Sequence, residues 1–257
     1  MNLASETGTT IIVENVSFDS DGHRLLGRMY RPNKPGRFPA VAICHGYPGD
    51  NKNMDLAEEL ALNGIVTLIF YYRGAWGSEG NYSLKGLESS ARDAVDFLIS
   101  SPIVDTDRVG IIGYSMGAIP LTAKLASDPR LKAGVFLAPV ADLSLYATGE
   151  RLEAATAIFV RMGQGKLRGL SAEDMKTEFP WLLENQNPVD LIKKVGAPLL
   201  FVVGSEDQEA IPELCRALFE AANEPKEWTL IEGANHDFSE HRIPLIDVIT
   251  GWLKGRL

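Results

Sequence analysis

The chain has 257 residues, 45% of them hydrophobic and 23% charged, and a formal net charge of −9. That profile describes an ordinary globular chain of one or two domains, able to bury a core without disulfides or metals. The acidic balance argues against a general nucleic-acid surface or an anionic membrane surface, where lysine and arginine would have to dominate.

Residues 1–9 read as a loose polar tail. Ile11 to Phe18 and Arg24 to Arg31 read as strands, joined at Asp21-Gly22, a hairpin signal. Pro39 to His45 (PAVAICH) is a short apolar run expected as a buried strand. Met54 to Asn63 carries apolar residues at helical spacing, with Gly64 as a stop. Ile65 to Tyr72 (IVTLIFYY) is again a strand, followed by the loop RGAWGSEGNYS. A helix is predicted from Leu87 to Ser100, a strand from Val109 to Ile112, and a helix from Ala118 to Ser127. Ala133 to Leu137 and Pro198 to Val203 read as strands. Ile211 to Ala222 is a helix, Glu227 to Ile231 a strand, and Pro244 to Leu253 the closing helix.

This alternation predicts an α/β fold with a mostly parallel sheet and helices on both faces, the opening hairpin adding antiparallel strands at one edge. Between Pro139 and Lys194 no strand pattern occurs. Leu152, Ala155, Ile158, Phe159 and Met162 recur at helical spacing there, with smaller groups around Met175, Trp181 and Leu182. A long excursion between two core strands reads as a functional insertion. Cys44 and Cys215 form neither a CxxC pair nor a disulfide framework, so two buried reduced thiols are expected. No signal-peptide pattern and no membrane-length apolar run is visible, which makes a cytoplasmic location the expectation.

One segment carries chemistry. VGIIGYSMGA, Val109 to Ala118, places Ser115 between Gly113 and Gly117 at a strand-to-helix turn. In a G-x-S-x-G turn the glycines remove side chains that would clash at a sharp bend, and the hydroxyl is presented beside the positive end of the following helix. A serine hydroxyl needs a base, and the base needs an orienting acid. The sequence has four histidines. His23 lies in the first hairpin turn and His241 in a polar stretch, both expected at the surface. His45 ends an early strand and reads as a structural hydrogen-bonding residue. His236, in EGANHDF after a late strand, is the expected base. GSEDQEAIP offers Glu206, Asp207 and Glu209 as acids. Asp207 is favoured for its short, rigid side chain, with Asp142 as the fallback. An oxyanion hole would take one N–H from Met116 and a second from Tyr47 in the loop His45-Gly46-Tyr47-Pro48-Gly49.

Taken in order, HGYPGD, YYRGAWGSEG, GYSMG, GSEDQEAIP and GANHDF resemble the α/β-hydrolase superfamily across essentially the whole chain. Within it, the sequence looks like the single-domain serine carboxylesterases related to the catalytic domains of acylaminoacyl peptidases and prolyl oligopeptidases. The placement of the insertion is similar to the lid of feruloyl and cinnamoyl esterases. Ser115 stands where dienelactone hydrolases carry a cysteine and haloalkane dehalogenases an aspartate. The resemblance implies one domain over residues 1–257, an eight-stranded sheet, and a helical lid at about 140–194. The segment Tyr72 to Gly80 would shape the site rim, with no catalytic part for Arg73. A large N-terminal propeller like that of the peptidases would not fit in this length, which points to esters over oligopeptides.

The expected activity is hydrolysis of short- to medium-chain or aryl carboxylic esters through Ser115, His236 and Asp207. Ile158, Phe159, Met162 and Trp181 are expected to line the acyl pocket. No cofactor and no metal are expected, since there is no zinc-spaced Cys/His cluster and no phosphate-binding glycine loop. The expected partner is a small-molecule ester, with no nucleic acid and no membrane, and a homodimer is compatible with this reading. An acyl-peptidase or acyltransferase could use the same three residues. A non-catalytic ligand-binding protein on this fold would show a broken triad, and the sequence shows none.

Overall fold

A computed structural model describes residues 10–49 and 53–257; the predicted tail at 1–9 lies outside them. Strands β1 (Ile11–Ser20) and β2 (His23–Pro32) pair antiparallel, with Ser20 opposite His23 at the turn. Asp21 and Gly22 both have positive φ, 50° and 78°, as the tight turn that matches strand twist requires.

The parallel part of the sheet follows. Its strands are β3 (Phe38–Cys44), β4 (Val66–Phe70), β5 (Val104–Tyr114), β6 (Leu131–Leu137), β7 (Leu199–Gly204) and β8 (Lys226–Ile231). The eight strands lie in the order β1-β2-β4-β3-β5-β6-β7-β8. The helices are α1 (Met54–Leu62), α2 (Gly86–Ser100), α3 (Ala118–Ser127), α4 (Gly149–Gly163), α5 (Ala172–Gln186), α6 (Pro188–Leu191), α7 (Pro212–Ala221) and α8 (Arg242–Lys254).

The central strands are apolar on both faces because both faces are covered, as in other parallel sheets. Alternate residues feed separate cores. Ala40, Ala42, Cys44, Leu68 and Phe70 pack toward α2 and α3. Val41, Ile43 and Ile69 pack toward α1 and α8. Burial leaves both thiols unpaired, and pushes those of Cys44 and Cys215 each up to about 12.

After β4 the chain crosses to the other side of β3, so the order reverses between β3 and β5. The loops at the carboxyl ends of these two strands diverge at that point, which is where open α/β sheets place their sites. β5 starts at Val104, ahead of the predicted Val109, through the polar Asp105-Thr106-Asp107. Pairing of Val104 with Phe38 carries that extension, with no apolar pattern to announce it.

Between β6 and β7 the described residues form helices α4, α5 and α6 and no strand of the sheet. This excursion is fastened to the loop after β4. Arg168 N–H donates to Gly74 O at 2.7 Å, Tyr82 N–H donates to Arg168 O at 2.8 Å, and Leu167 forms an isolated bridge with Ala75. The carboxylate of Glu178 on α5 accepts from Ser83 Oγ at 2.7 Å and Leu84 N at 2.6 Å. Among the described residues, no helix is long and apolar enough to cross a membrane.

Candidate active site

β5 delivers Ser115 into a turn with φ of 53°, a left-handed conformation that costs a non-glycine residue about 1–3 kcal/mol. A 3-10 turn at Ser115–Gly117 then leads into α3. The flanking glycines make the bend sterically achievable. A Cβ on Gly113 would come within 2.5 Å of the Gly117 carbonyl, and one on Gly117 would collide with the Cys44 carbonyl. The loop after β3 presses on the serine from the other side, where a Cβ on Gly46 would lie 3.0 Å from the Ser115 Cβ.

His236 comes from the loop after β8. Its Nε2 is 3.1 Å from Ser115 Oγ, and its Nδ1 is 2.9 Å from Asp207 Oδ2. The Asp207 carboxylate is buried at the end of β7, and its Oδ1 accepts from the N–H groups of Glu209 at 2.9 Å and Ala210 at 2.8 Å. These bonds leave Oδ2 to the imidazole and fix the proton on Nδ1, so that Nε2 faces the serine as an acceptor. The loops bearing Asp207 and His236 are tied together by Glu206 N–H to Ala234 O at 2.9 Å and Gly233 N–H to Ser205 Oγ at 2.8 Å.

Electrostatics favour the imidazolium. Burial alone lowers the His236 pKa, but the hydrogen bond and charge of Asp207, with help from Glu209 and Asp237, outweigh it, and the net shift is upward. Tyr114, the residue before Ser115, supports the same loop. Its hydroxyl donates to Asp237 Oδ1 at 2.8 Å and its ring lies 5.2 Å from that of His236. Nothing in the sequence marks Tyr114 for this contact, since the variable position of a G-x-S-x-G pattern carries no signal for it.

Ser115 and His236 open onto a pocket of about 220 Å³ bordered by Tyr47, Met116, Val140, Tyr146, Glu209 and Ala210, with Ala155, Ile158, Phe159 and Met162 from α4. Tyr47 and Met116 thus flank the serine. The Tyr47 hydroxyl, held neutral by burial, donates to Phe159 O at 2.5 Å. Trp181, expected in this pocket, is a correction. It sits on α5 and does not border the pocket; its ring packs on the core with Lys85 Nζ 5.3 Å from the centroid, because Glu178 holds this helix against Ser83 and Leu84. Leu152 also packs on the core and does not border the pocket.

The other candidates are placed as well. His45 is buried, with Nδ1 donating to Gly46 O at 2.7 Å and Nε2 accepting from Tyr72 N at 3.4 Å, so it shapes the loop after β3. Asp142 Oδ1 accepts from Ser144 N at 2.9 Å and Asn187 Nδ2 at 3.2 Å, in a turn. His23 is exposed at the start of β2, and His241 precedes α8.

Comparisons with known proteins agree with this architecture. A family model of the X-Pro dipeptidyl-peptidase (S15 family) matches residues 21–177, a span that includes Ser115 and stops before Asp207 and His236. An uncharacterized protein of Mycobacterium tuberculosis is 29% identical over 240 residues, covering 91% of this chain and 74% of that protein. The uncharacterized peptidase YtmA of Bacillus subtilis is 26% identical over 254 residues, covering 94% of this chain and 93% of the relative. The ferulic acid-bound structure of Est1E from Butyrivibrio proteoclasticus superposes with a TM-score of 0.75 at 20% identity, over 94% of this chain and 98% of that one. The chain has the fold of the α/β-hydrolases, and it belongs to the X-Pro dipeptidyl-peptidase (S15) family.

Proposed function

We propose that the protein is a serine carboxylester hydrolase acting on short- to medium-chain or aryl esters. The observation that carries this reading is the continuous line Ser115 Oγ, His236 Nε2, His236 Nδ1, Asp207 Oδ2, opening onto a mostly apolar pocket. In this reading Ser115 Oγ attacks the ester carbonyl and its proton passes to His236 Nε2. Asp207 holds the imidazole in the required tautomer and balances its charge. The N–H groups of Tyr47 and Met116 stabilise the tetrahedral oxyanion, each such donor contributing about 2.7–4 kcal/mol in the transition state. The C–O bond to the alcohol then breaks, and the alcohol leaves with the proton from Nε2. Water, giving its proton to the same nitrogen, attacks the acyl-enzyme and releases the acid and the free serine.

The excursion from about 140 to 194 serves as a lid in this scheme, with α4 forming one wall of the acyl pocket. The small pocket and its aromatic lining favour short acyl chains and aryl groups. The decisive experiment is hydrolysis of p-nitrophenyl esters from acetate to palmitate and of a methyl hydroxycinnamate, with Ser115→Ala alongside. Turnover by the wild type and a loss of at least about three orders of magnitude in the variant support the reading. Equal turnover by both removes Ser115 from the mechanism.

A second reading, cleavage of an acyl-peptide bond by the same residues, is favoured by the family match. Matched ester and amide substrates with one acyl group separate the two. Turnover of the amide that is lost in Ser115→Ala would make this a peptidase; an ester cleaved with no turnover of the amide supports the first reading.

A further inference from the structure

We propose that Glu209 selects esters whose alcohol carries a positively charged amine. The proposal rests on the esterase reading above and adds the chemistry of the leaving group. Glu209 Oε2 lies 3.8 Å from His236 Nε2. In serine ester hydrolysis that nitrogen returns its proton to the departing alcohol oxygen. The leaving group therefore departs beside Nε2, and the Glu209 carboxylate borders its path. An ammonium two carbons beyond the ester oxygen falls within its reach.

The rest of the wall suits a cation. Among the described residues Glu209 is the one carboxylate bordering the pocket, and no lysine or arginine borders it. Tyr47 and Phe159 have ring centroids 4.6 Å apart, and Tyr146 and Phe159 6.3 Å apart. These three side chains border the same pocket as Glu209, and aromatic rings are the usual neighbours of alkylammonium groups. The Glu209 side chain is 70% exposed. It reaches the pocket from the rim, so it has no role in holding the core together. Asp207, buried and bonded to two N–H groups, has no oxygen to spare for a substrate.

The test compares (trimethylammonio)ethyl butyrate with its dimethylbutyl isostere, in which carbon replaces the charged nitrogen. The expected kcat/KM is about tenfold higher for the cationic ester, the size of an exposed ion pair combined with a cation–π contact. In Glu209→Gln the ratio falls to the few-fold preference that the aromatic contact supplies by itself. Any effect of Glu209 through His236 acts on both esters and cancels in the ratio. Added salt lowers the wild-type ratio as well. A wild-type ratio near one, or a ratio unchanged in Glu209→Gln, overturns the proposal. Calorimetric binding of both compounds to Ser115→Ala separates it from the esterase reading. Tighter binding of the cation without turnover by the wild type keeps the charge selection and sinks the esterase reading. Equal binding of the two compounds sinks the charge selection.

Discussion

The Tyr47 hydroxyl reaches 112 positions along the chain to donate to the Phe159 carbonyl at 2.5 Å. One hydrogen bond thus joins the loop that presses on Ser115 to the helix that walls the pocket. Gly163, one turn further along α4, makes this approach feasible, since a Cβ there would collide with the Tyr47 hydroxyl.

Tyr47→Phe removes that bond, at about 0.5–1.5 kcal/mol, while the Phe159 carbonyl keeps its place in the α4 ladder. For a chain of this size the midpoint of thermal unfolding falls by a few degrees, roughly 2–4 °C per kcal/mol. Because the loop also carries a proposed oxyanion donor, kcat falls further than stability alone explains. Calorimetry and ester kinetics on the same variant measure both.

The pH profile follows from His236. Its pKa is raised above the ordinary 6.5, and only the neutral imidazole accepts the serine proton. Activity therefore rises with pH through a midpoint above 6.5. The stability term runs the other way. A raised folded-state pKa contributes stability that is fully present below the unfolded value and is lost as pH rises through the folded one. In Asp207→Asn burial acts unopposed by that carboxylate, so the midpoint moves down. The accompanying loss in kcat is about four orders of magnitude, from the wrong tautomer. Stopped-flow or steady-state pH series on both proteins give the midpoints.

Gly117→Ala drives a methyl group into the Cys44 carbonyl. Backbone has no rotamer to yield with, so the expected result is little soluble protein, or a folded protein with its serine displaced and activity lost. Circular dichroism and reaction with a fluorophosphonate probe distinguish these. Retained stability together with full labelling would contradict the packing described for the bend.

Glu178→Gln keeps an acceptor oxygen for Ser83 or Leu84 but loses the charge and one of the two bonds. A cost of about 1–2 kcal/mol is expected. Its readout is earlier proteolysis between α4 and α5, with the chain-length profile shifting toward longer acyl groups as the wall loosens.

Much of this arrangement was legible in the sequence where local steric demands left few solutions. Gly113 and Gly117 are needed at one bend, and the bend is where the pattern placed it. The apolar runs Ile65 to Tyr72 and Pro198 to Val203 read as strands, and the strands formed there are apolar throughout because they are covered on both faces. Ser115, His236 and Asp207 come together because each ends a strand or follows one on the same edge of the sheet. Contacts made by single side chains across the fold were not legible. Trp181 had helical spacing with other apolar residues, yet spacing does not say which partner a helix meets. Glu178 and Tyr114 form polar contacts across 94 and 123 positions, and nothing in their neighbouring residues marks them. The front of β5 is polar because it is exposed, and its pairing comes from Phe38.

The loop that follows α4 is mounted on the loop after β4 through main-chain atoms of Gly74, Tyr82 and Arg168. Main-chain bonds impose little on the identity of the side chains that α4 turns to the pocket. Ile158 and Met162 are 47% and 36% exposed, so neither is locked by the core. Such a wall can be relettered while its frame stays fixed. Descendants of this chain could therefore change the molecules they accept through one or two substitutions, without first having to find a new way to fold.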